Sequence, residues 1–125
     1  MASTTAFRDR VLGLLLPFGP VAARGMFGGY GLFMDGTMFA LIADDALYVK
    51  FGPGTRETFA AAGGRPFAYR RRGRTVEMSY WRVPDAVMAD PARLCDWAAL
   101  GLAAAQETAR AEKDRRRKKN SPRTR

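Results

Sequence analysis

Gly31-Leu32-Phe33-Met34-Asp35-Gly36-Thr37-Met38-Phe39-Ala40-Leu41-Ile42-Ala43 reads as strand, two-residue turn, strand. Asp35-Gly36 carries that reading. A type I′ two-residue hairpin turn needs positive φ at both central positions, which glycine adopts freely and aspartate tolerates. The second arm is apolar on both alternating faces, with Met38, Ala40 and Ile42 on one and Phe39 and Leu41 on the other. That pattern predicts an inner strand covered on both sides. Hairpins join neighbours antiparallel, so an antiparallel sheet is expected.

Working upstream, Thr4 or Thr5 can cap a helix running to about Leu16, with Phe7, Val11, Leu14, Leu15 and Phe18 on one face. Pro17, Gly19 and Pro20 end it, and Val21 to Tyr30 follows as a glycine-punctuated stretch. Downstream, Asp44-Asp45 turns the chain into a strand over Ala46 to Phe51. Thr55 to Ala62 is a short helix closed by Gly63-Gly64. Pro66 to Arg71, a turn near Arg72-Gly73, and Arg74 to Val83 make a further hairpin that Pro84 stops.

Asp90-Pro91 starts a long helix, with aspartate as N-cap and proline at the first helical position. Leu94, Trp97, Ala98, Gly101, Leu102 and Ala105 recur at helical spacing and define a packed face. Residues 106–119 are good helix formers, so the basic run extends the helix as a solvated rod until Asn120-Ser121-Pro122 stops it. The expected fold is α+β: an N-terminal helix, an antiparallel sheet of about six strands built from hairpins, a short middle helix and a long C-terminal helix. Residues 1–112 are expected to form one domain and 113–125 a basic tail, partly helical or disordered.

Composition narrows the chemistry. Apolar residues make up 47% of the chain, enough for a core without disulfides or metals. Cys95 is the single cysteine and histidine is absent. An intrachain disulfide, a Cys/His zinc site, a Ser-His-Asp or Cys-His triad and a histidine general base are all excluded. The lone cysteine fits a reducing, cytoplasmic setting. Arg8 and Arg10 before Val11 to Leu16 imitate a signal peptide, but Asp9 dilutes the charge and Pro17 breaks the run after six residues. No stretch approaches the ~20 apolar residues of a membrane span.

Net charge is +9 and unevenly placed. Lys113, Arg115, Arg116, Arg117, Lys118, Lys119, Arg123 and Arg125 face one acid, Asp114, so this segment alone carries +7. The other 112 residues hold 13 basic and 11 acidic side chains, a balance of +2. The tail is therefore the basic element, and the domain is nearly neutral.

A wider set of motifs runs in order along the chain: Gly19-Pro20-Val21, Met26-Phe27-Gly28-Gly29-Tyr30-Gly31-Leu32-Phe33, Asp35-Gly36, Met38-Phe39-Ala40-Leu41-Ile42 and Leu47-Tyr48-Val49-Lys50. Gly64, Pro66-Phe67-Ala68-Tyr69, Met78-Ser79-Tyr80 and Val83-Pro84 continue it. Over roughly Leu12 to Gln106 the chain resembles the N-terminal domain of the TfoX/Sxy family of competence regulators. The resemblance implies a mixed α+β domain with an antiparallel sheet. It also implies a transcriptional co-regulator of the kind that works with the cyclic-AMP receptor protein at competence promoters, in a family not known for enzymes. Founding members carry a second, C-terminal domain; this chain has its charged segment there.

Several residue groups invite a chemical role. Gly25, Gly28, Gly29 and Gly31 lack the Gly-Lys-Ser/Thr sequence and following helix of a phosphate loop, and predict a bulge or tight strand crossing instead. Asp44 and Asp45 read as turn residues and Glu57 as an exposed helix position. Glu77, on one strand face with Thr75, Ser79 and Trp81, is either solvent-facing or paired with a hairpin arginine. It has no partner acid, base or metal ligand in view. Cys95 reads as a small, partly buried residue.

Arg70, Arg71, Arg72 and Arg74 cluster beside Tyr69. They serve either as phosphate contacts with aromatic stacking or as charges that keep an edge from pairing. The tail either contacts nucleic acid without sequence preference, or solubilises the chain or docks on an acidic partner. The expectation is a non-enzymatic regulatory or adaptor protein without cofactor. Its domain contacts a protein of the transcription machinery, and its tail adds non-specific DNA or RNA affinity. The alternative is a direct nucleic-acid-binding module in which the Arg70 to Arg74 hairpin joins the tail.

Overall fold

In a computed structural model, residues 3–120 are described. The chain begins with α1 (Thr5–Leu14), followed by β1 (Ala22–Met26), β2 (Gly29–Met34), β3 (Thr37–Ala43) and β4 (Ala46–Lys50). Next come α2 (Arg56–Ala62), β5 (Pro66–Arg71), β6 (Arg74–Arg82), α3 (Asp85–Met88) and α4 (Pro91–Asn120). The six strands form one antiparallel sheet in the order β1-β2-β3-β4-β6-β5. The expected α+β class and six-stranded hairpin sheet are present.

Four pairs of positive-φ residues make the hairpin turns: Phe27 and Gly28 (49° and 77°), Asp35 and Gly36 (51° and 78°), Asp44 and Asp45 (49° and 54°), Arg72 and Gly73 (52° and 76°). Left-handed backbone at both central positions matches the right-handed twist of the flanking strands. The last three turns are those the sequence predicts. At the first, the glycine run closes a further hairpin with phenylalanine at the strained position. A tight crossing is also present, because a Cβ on Gly29 would collide with the backbone carbonyl of Ile42. The bulge lies elsewhere: Leu32 pairs with Ala40 and Phe33 with Met38, so Phe39 is the extra residue. Its side chain is fully buried, with the ring 5.4 Å from that of Phe18.

The N-terminal half of α4 packs on one face of the sheet. Gly101 permits this, since a Cβ there would run into Val49 Cγ1 and stand 3.2 Å from the Phe39 carbonyl oxygen. Val11 and Leu15 of the α1 region, Val87 of α3, Leu94 of α4 and Leu32, Ile42 and Val49 of the sheet complete this core. Phe59 of α2 stacks on Trp97 of α4 at 4.1 Å between centroids and 15° between planes. Trp81 reaches the same layer, and its Nε1–H donates to the Gly63 carbonyl at 2.9 Å. Burying the indole therefore leaves no unmet donor.

Helix α3 is a single turn that the sequence reading passes over. Its amides at Val87 and Met88 return to the Pro84 carbonyl. Helix α4 starts where Asp90 Oδ1 accepts from the Arg93 amide at 3.3 Å, and it continues unbroken through the basic run to Asn120. The rest of the expected stop signal, Ser121-Pro122, and the basic residues Arg123 and Arg125 lie outside the described residues.

Candidate functional site

The sheet has a second face, opposite Val49. Leu41 pairs with Tyr48 across β3 and β4, one residue out of phase with the Ala40–Val49 pair that faces α4. On this face Tyr48 meets Phe67 edge-on at 4.9 Å and 80°, and Phe67 meets Tyr69 at 6.4 Å. Phe67 and Tyr69 join Met26, Phe27, Leu41, Arg71 and Met78 in lining a groove of about 580 Å³. Phe27 is fully exposed, and Tyr69 and Met78 are exposed by 39% and 38%.

The hairpin arginines divide between two faces. Arg71 and Arg74 are cross-strand partners, and Arg71 alternates with Tyr69 and Phe67 on the groove side. Arg70, paired with Thr75, points the other way, and its guanidinium donates to the Gly73 carbonyl at 3.1 Å. Arg72 occupies the turn itself, and all four are exposed. Arg24, on β1, lies over the Phe33 ring at 5.1 Å and is also exposed.

Lys113, Arg115, Arg116, Arg117 and Lys118 are exposed along the last turns of α4; Lys119 lies in the same helix. This helix covers the face opposite the groove. The basic run 113–118 therefore continues a helix that packs on the sheet face away from the groove-side hairpin arginines.

Where α4 leaves the sheet, a cleft of about 310 Å³ is lined by Lys50, Tyr80, Met38, Thr108 and Glu112, among others. Lys50 Nζ donates to Ser79 Oγ at 2.5 Å and sits 5.3 Å from the Tyr80 ring centroid. Burial holds the Lys50 amine below the usual lysine range, with the Glu112 carboxylate pulling the other way. Burial likewise pushes the Tyr80 phenol up. Sequence reasoning did not find this cluster, because its members come from β4, β6 and α4 and share no spacing.

Comparison with known proteins settles the family. The model for the TfoX N-terminal domain matches residues 13–105. The chain belongs to the TfoX N-terminal domain family. It is 27% identical over 108 residues to Protein Sxy of Escherichia coli (strain K12), covering 86% of this chain and 52% of that protein. To the DNA transformation protein TfoX1 of Aliivibrio fischeri (strain ATCC 700601 / ES114) it is 28% identical over 117 residues, covering 94% and 54%. The chain thus spans about half the length of the curated relatives it matches.

Within this TfoX N-terminal domain, the stretch Met26 to Phe33 that carries the resemblance forms the β1–β2 turn and one wall of the groove. The acids that invite a chemical role stay apart from it. Glu77 is solvent-facing, Glu57 is exposed in the first turn of α2, and Asp45 holds the start of α1. Cys95 is partly buried and its thiol donates to the Leu14 carbonyl at 3.7 Å. Among the described residues, no group of three or more Cys, Asp or Glu is placed to hold a metal ion. No helix of the described residues is long and apolar enough to cross a membrane.

Proposed function

We propose that the chain is a non-enzymatic regulatory domain of the competence-regulator type. In this reading the TfoX N-terminal fold contacts a protein of the transcription machinery, and the basic end of α4 adds non-specific affinity for DNA or RNA. One observation carries it: the helix that closes the core continues directly into an exposed run from Lys113 to Lys118 with Asp114 as its single acid. Glu112 is the last α4 residue lining the cleft against the sheet, which supports 112/113 as the boundary between folded unit and basic segment. The lone, partly buried cysteine supports a cytoplasmic setting.

A rod with five or six cations neutralises phosphates without reading bases. The hairpin is not needed for this, because Arg70 and Arg71 point to opposite faces and α4 covers the side away from Arg71. The test is fluorescence anisotropy on duplex DNA across a salt series. It compares the intact chain with a form carrying glutamine at Lys113, Arg115, Arg116, Arg117 and Lys118, and with one carrying glutamine at Arg70, Arg71, Arg72 and Arg74. The intact chain and the hairpin form should bind with a log–log salt slope of about −4 to −5, which the tail form loses. Binding that survives tail neutralisation and disappears with the hairpin arginines would transfer the role to the hairpin.

A further inference from the structure

We propose that the groove on the open face of the sheet docks an acidic peptide segment that carries apolar anchor side chains. This rests on the reading of the domain as a protein-contacting module and names the chemistry of the partner.

Phe27 is the first observation. It has φ of 49°, a conformation that costs a bulky side chain about 1 kcal/mol or more and that hairpin turns ordinarily give to asparagine or glycine. Among the described residues no packing of the Phe27 side chain offsets that cost, since the ring is fully exposed. An exposed aromatic held in a strained turn beside an apolar groove is a typical interface anchor.

The groove wall is the second. Met26 and Met78 are flexible and polarisable, and they adapt to inserted aliphatic or aromatic side chains. Phe67 and Tyr69 in the same wall meet at a tilt of 38°, and Tyr48 braces Phe67 edge-on from outside the lining. A single-stranded nucleic acid needs a cationic groove that tracks its phosphates, whereas this lining is mostly apolar with Arg71 as its one cation, which favours a peptide.

Charge selects among peptides. The lining contains Arg71 and no carboxylate, Arg74 stands opposite Arg71, and Arg24 occupies the same face at the β1 edge. Cations round an apolar groove complement carboxylates round apolar anchors and repel a second copy of this chain, which would bring its own arginines.

The test pans a random peptide library displayed on phage against the full chain carrying the neutralised tail, so that tail charge does not select acids. Enriched peptides are then bound to the intact chain, to Phe27→Asn, which suits the turn, and to Arg71→Glu. Methyl NMR of Met26 and Met78 reports groove occupancy. The expected consensus joins Asp or Glu with Leu, Phe or Trp. Affinity should fall at least about tenfold in each variant, as loss of one anchor predicts, and the two methionine methyls should shift.

Peptides that lack acids, or that bind both variants as tightly as the intact chain, overturn the groove while leaving a protein-contacting role elsewhere on the domain. A library that yields no binder overturns both. Displacement of bound peptide by oligo-dT, with the same methyl shifts, would make the groove a nucleic-acid site. Dimerisation abolished by Phe27→Asn would make it a self-association surface. Either result sinks the proposal.

Discussion

The carboxylate of Asp45, in the β3–β4 turn, holds the start of the first helix: its Oδ1 accepts from the Thr4 amide at 2.7 Å and lies 3.2 Å from the Thr4 hydroxyl. Thr4 in turn caps α1, its Oγ1 accepting from the Phe7 amide at 3.1 Å. Two local signals, an Asp-Asp turn and a threonine N-cap, are thus one long-range clamp. Asp45→Ala removes both bonds and places alanine at a φ of 54°, so a loss of about 1–3 kcal/mol is expected. Asp45→Asn tolerates the backbone and keeps an acceptor, so it should lose less. Urea unfolding of the two variants checks the order, and equal losses would reduce Asp45 to a turn residue.

Phe59 comes from a helix of seven residues, too short to be stable by itself, and its ring is fully buried against Trp97. Phe59→Ala removes the contact that ties α2 to α4 and should cost about 3–5 kcal/mol. Near-ultraviolet circular dichroism and denaturant midpoints would register it. A cost below that of an exposed-site change would contradict the packing described.

Gly29 predicts a sharper failure. A side chain there meets the backbone carbonyl of Ile42, which cannot swing aside as a side-chain tip would. Gly29→Ala should therefore part β2 from β3 and lower stability by more than about 2 kcal/mol, within the range of overpacking and strain effects. Gly28→Ala, with open space around it, should show only the cost of a left-handed alanine. Hydrogen exchange at β2 and β3 amides distinguishes the two.

Lys50 gives a pH dependence. Its amine is held below the ordinary lysine value by burial, so between the folded and unfolded values the unfolded chain binds the extra proton and stability rises with pH. Below that window the cost of burying the charge is fully present. Tyr80 acts oppositely: its raised value means that above the ordinary tyrosine range the unfolded chain ionises first and stability falls. Lys50→Met should abolish the alkaline rise, and Glu112→Gln should lower the Lys50 titration further by removing the carboxylate that favours the charged form. Denaturant midpoints over an alkaline series measure the first and side-chain NMR the second. An unchanged pH slope in Lys50→Met would refute the assignment.

Much of this architecture is legible because the turns are chemical signals. Asp35-Gly36, Asp44-Asp45 and Arg72-Gly73 each place a residue tolerant of positive φ between strand-forming runs, and Asp90-Pro91 marks the start of α4. The β1–β2 turn is hidden because phenylalanine is a poor occupant of its position. Helix α3 is hidden because one turn has no periodicity. The candidate site is less legible still. Met26, Leu41, Phe67 and Met78 lie on four different strands, so only the pairing register brings them round one groove. The basic run of α4 was visible from composition, while the opposite facing of Arg70 and Arg71 required the β5–β6 register.

The strand order has a consequence for how the chain acquires its structure. Four of the five pairings join strands adjacent along the chain through two-residue turns, so most of the sheet closes through local contacts on a fast timescale. The helix that shields Val49 and Phe39 arrives about 50 residues later. During synthesis the meander would therefore exist with only the α1 region on its apolar underside until Ala105 has cleared the ribosome. That interval, between an assembled sheet and an incomplete cover, is when this sequence is most exposed to aggregation.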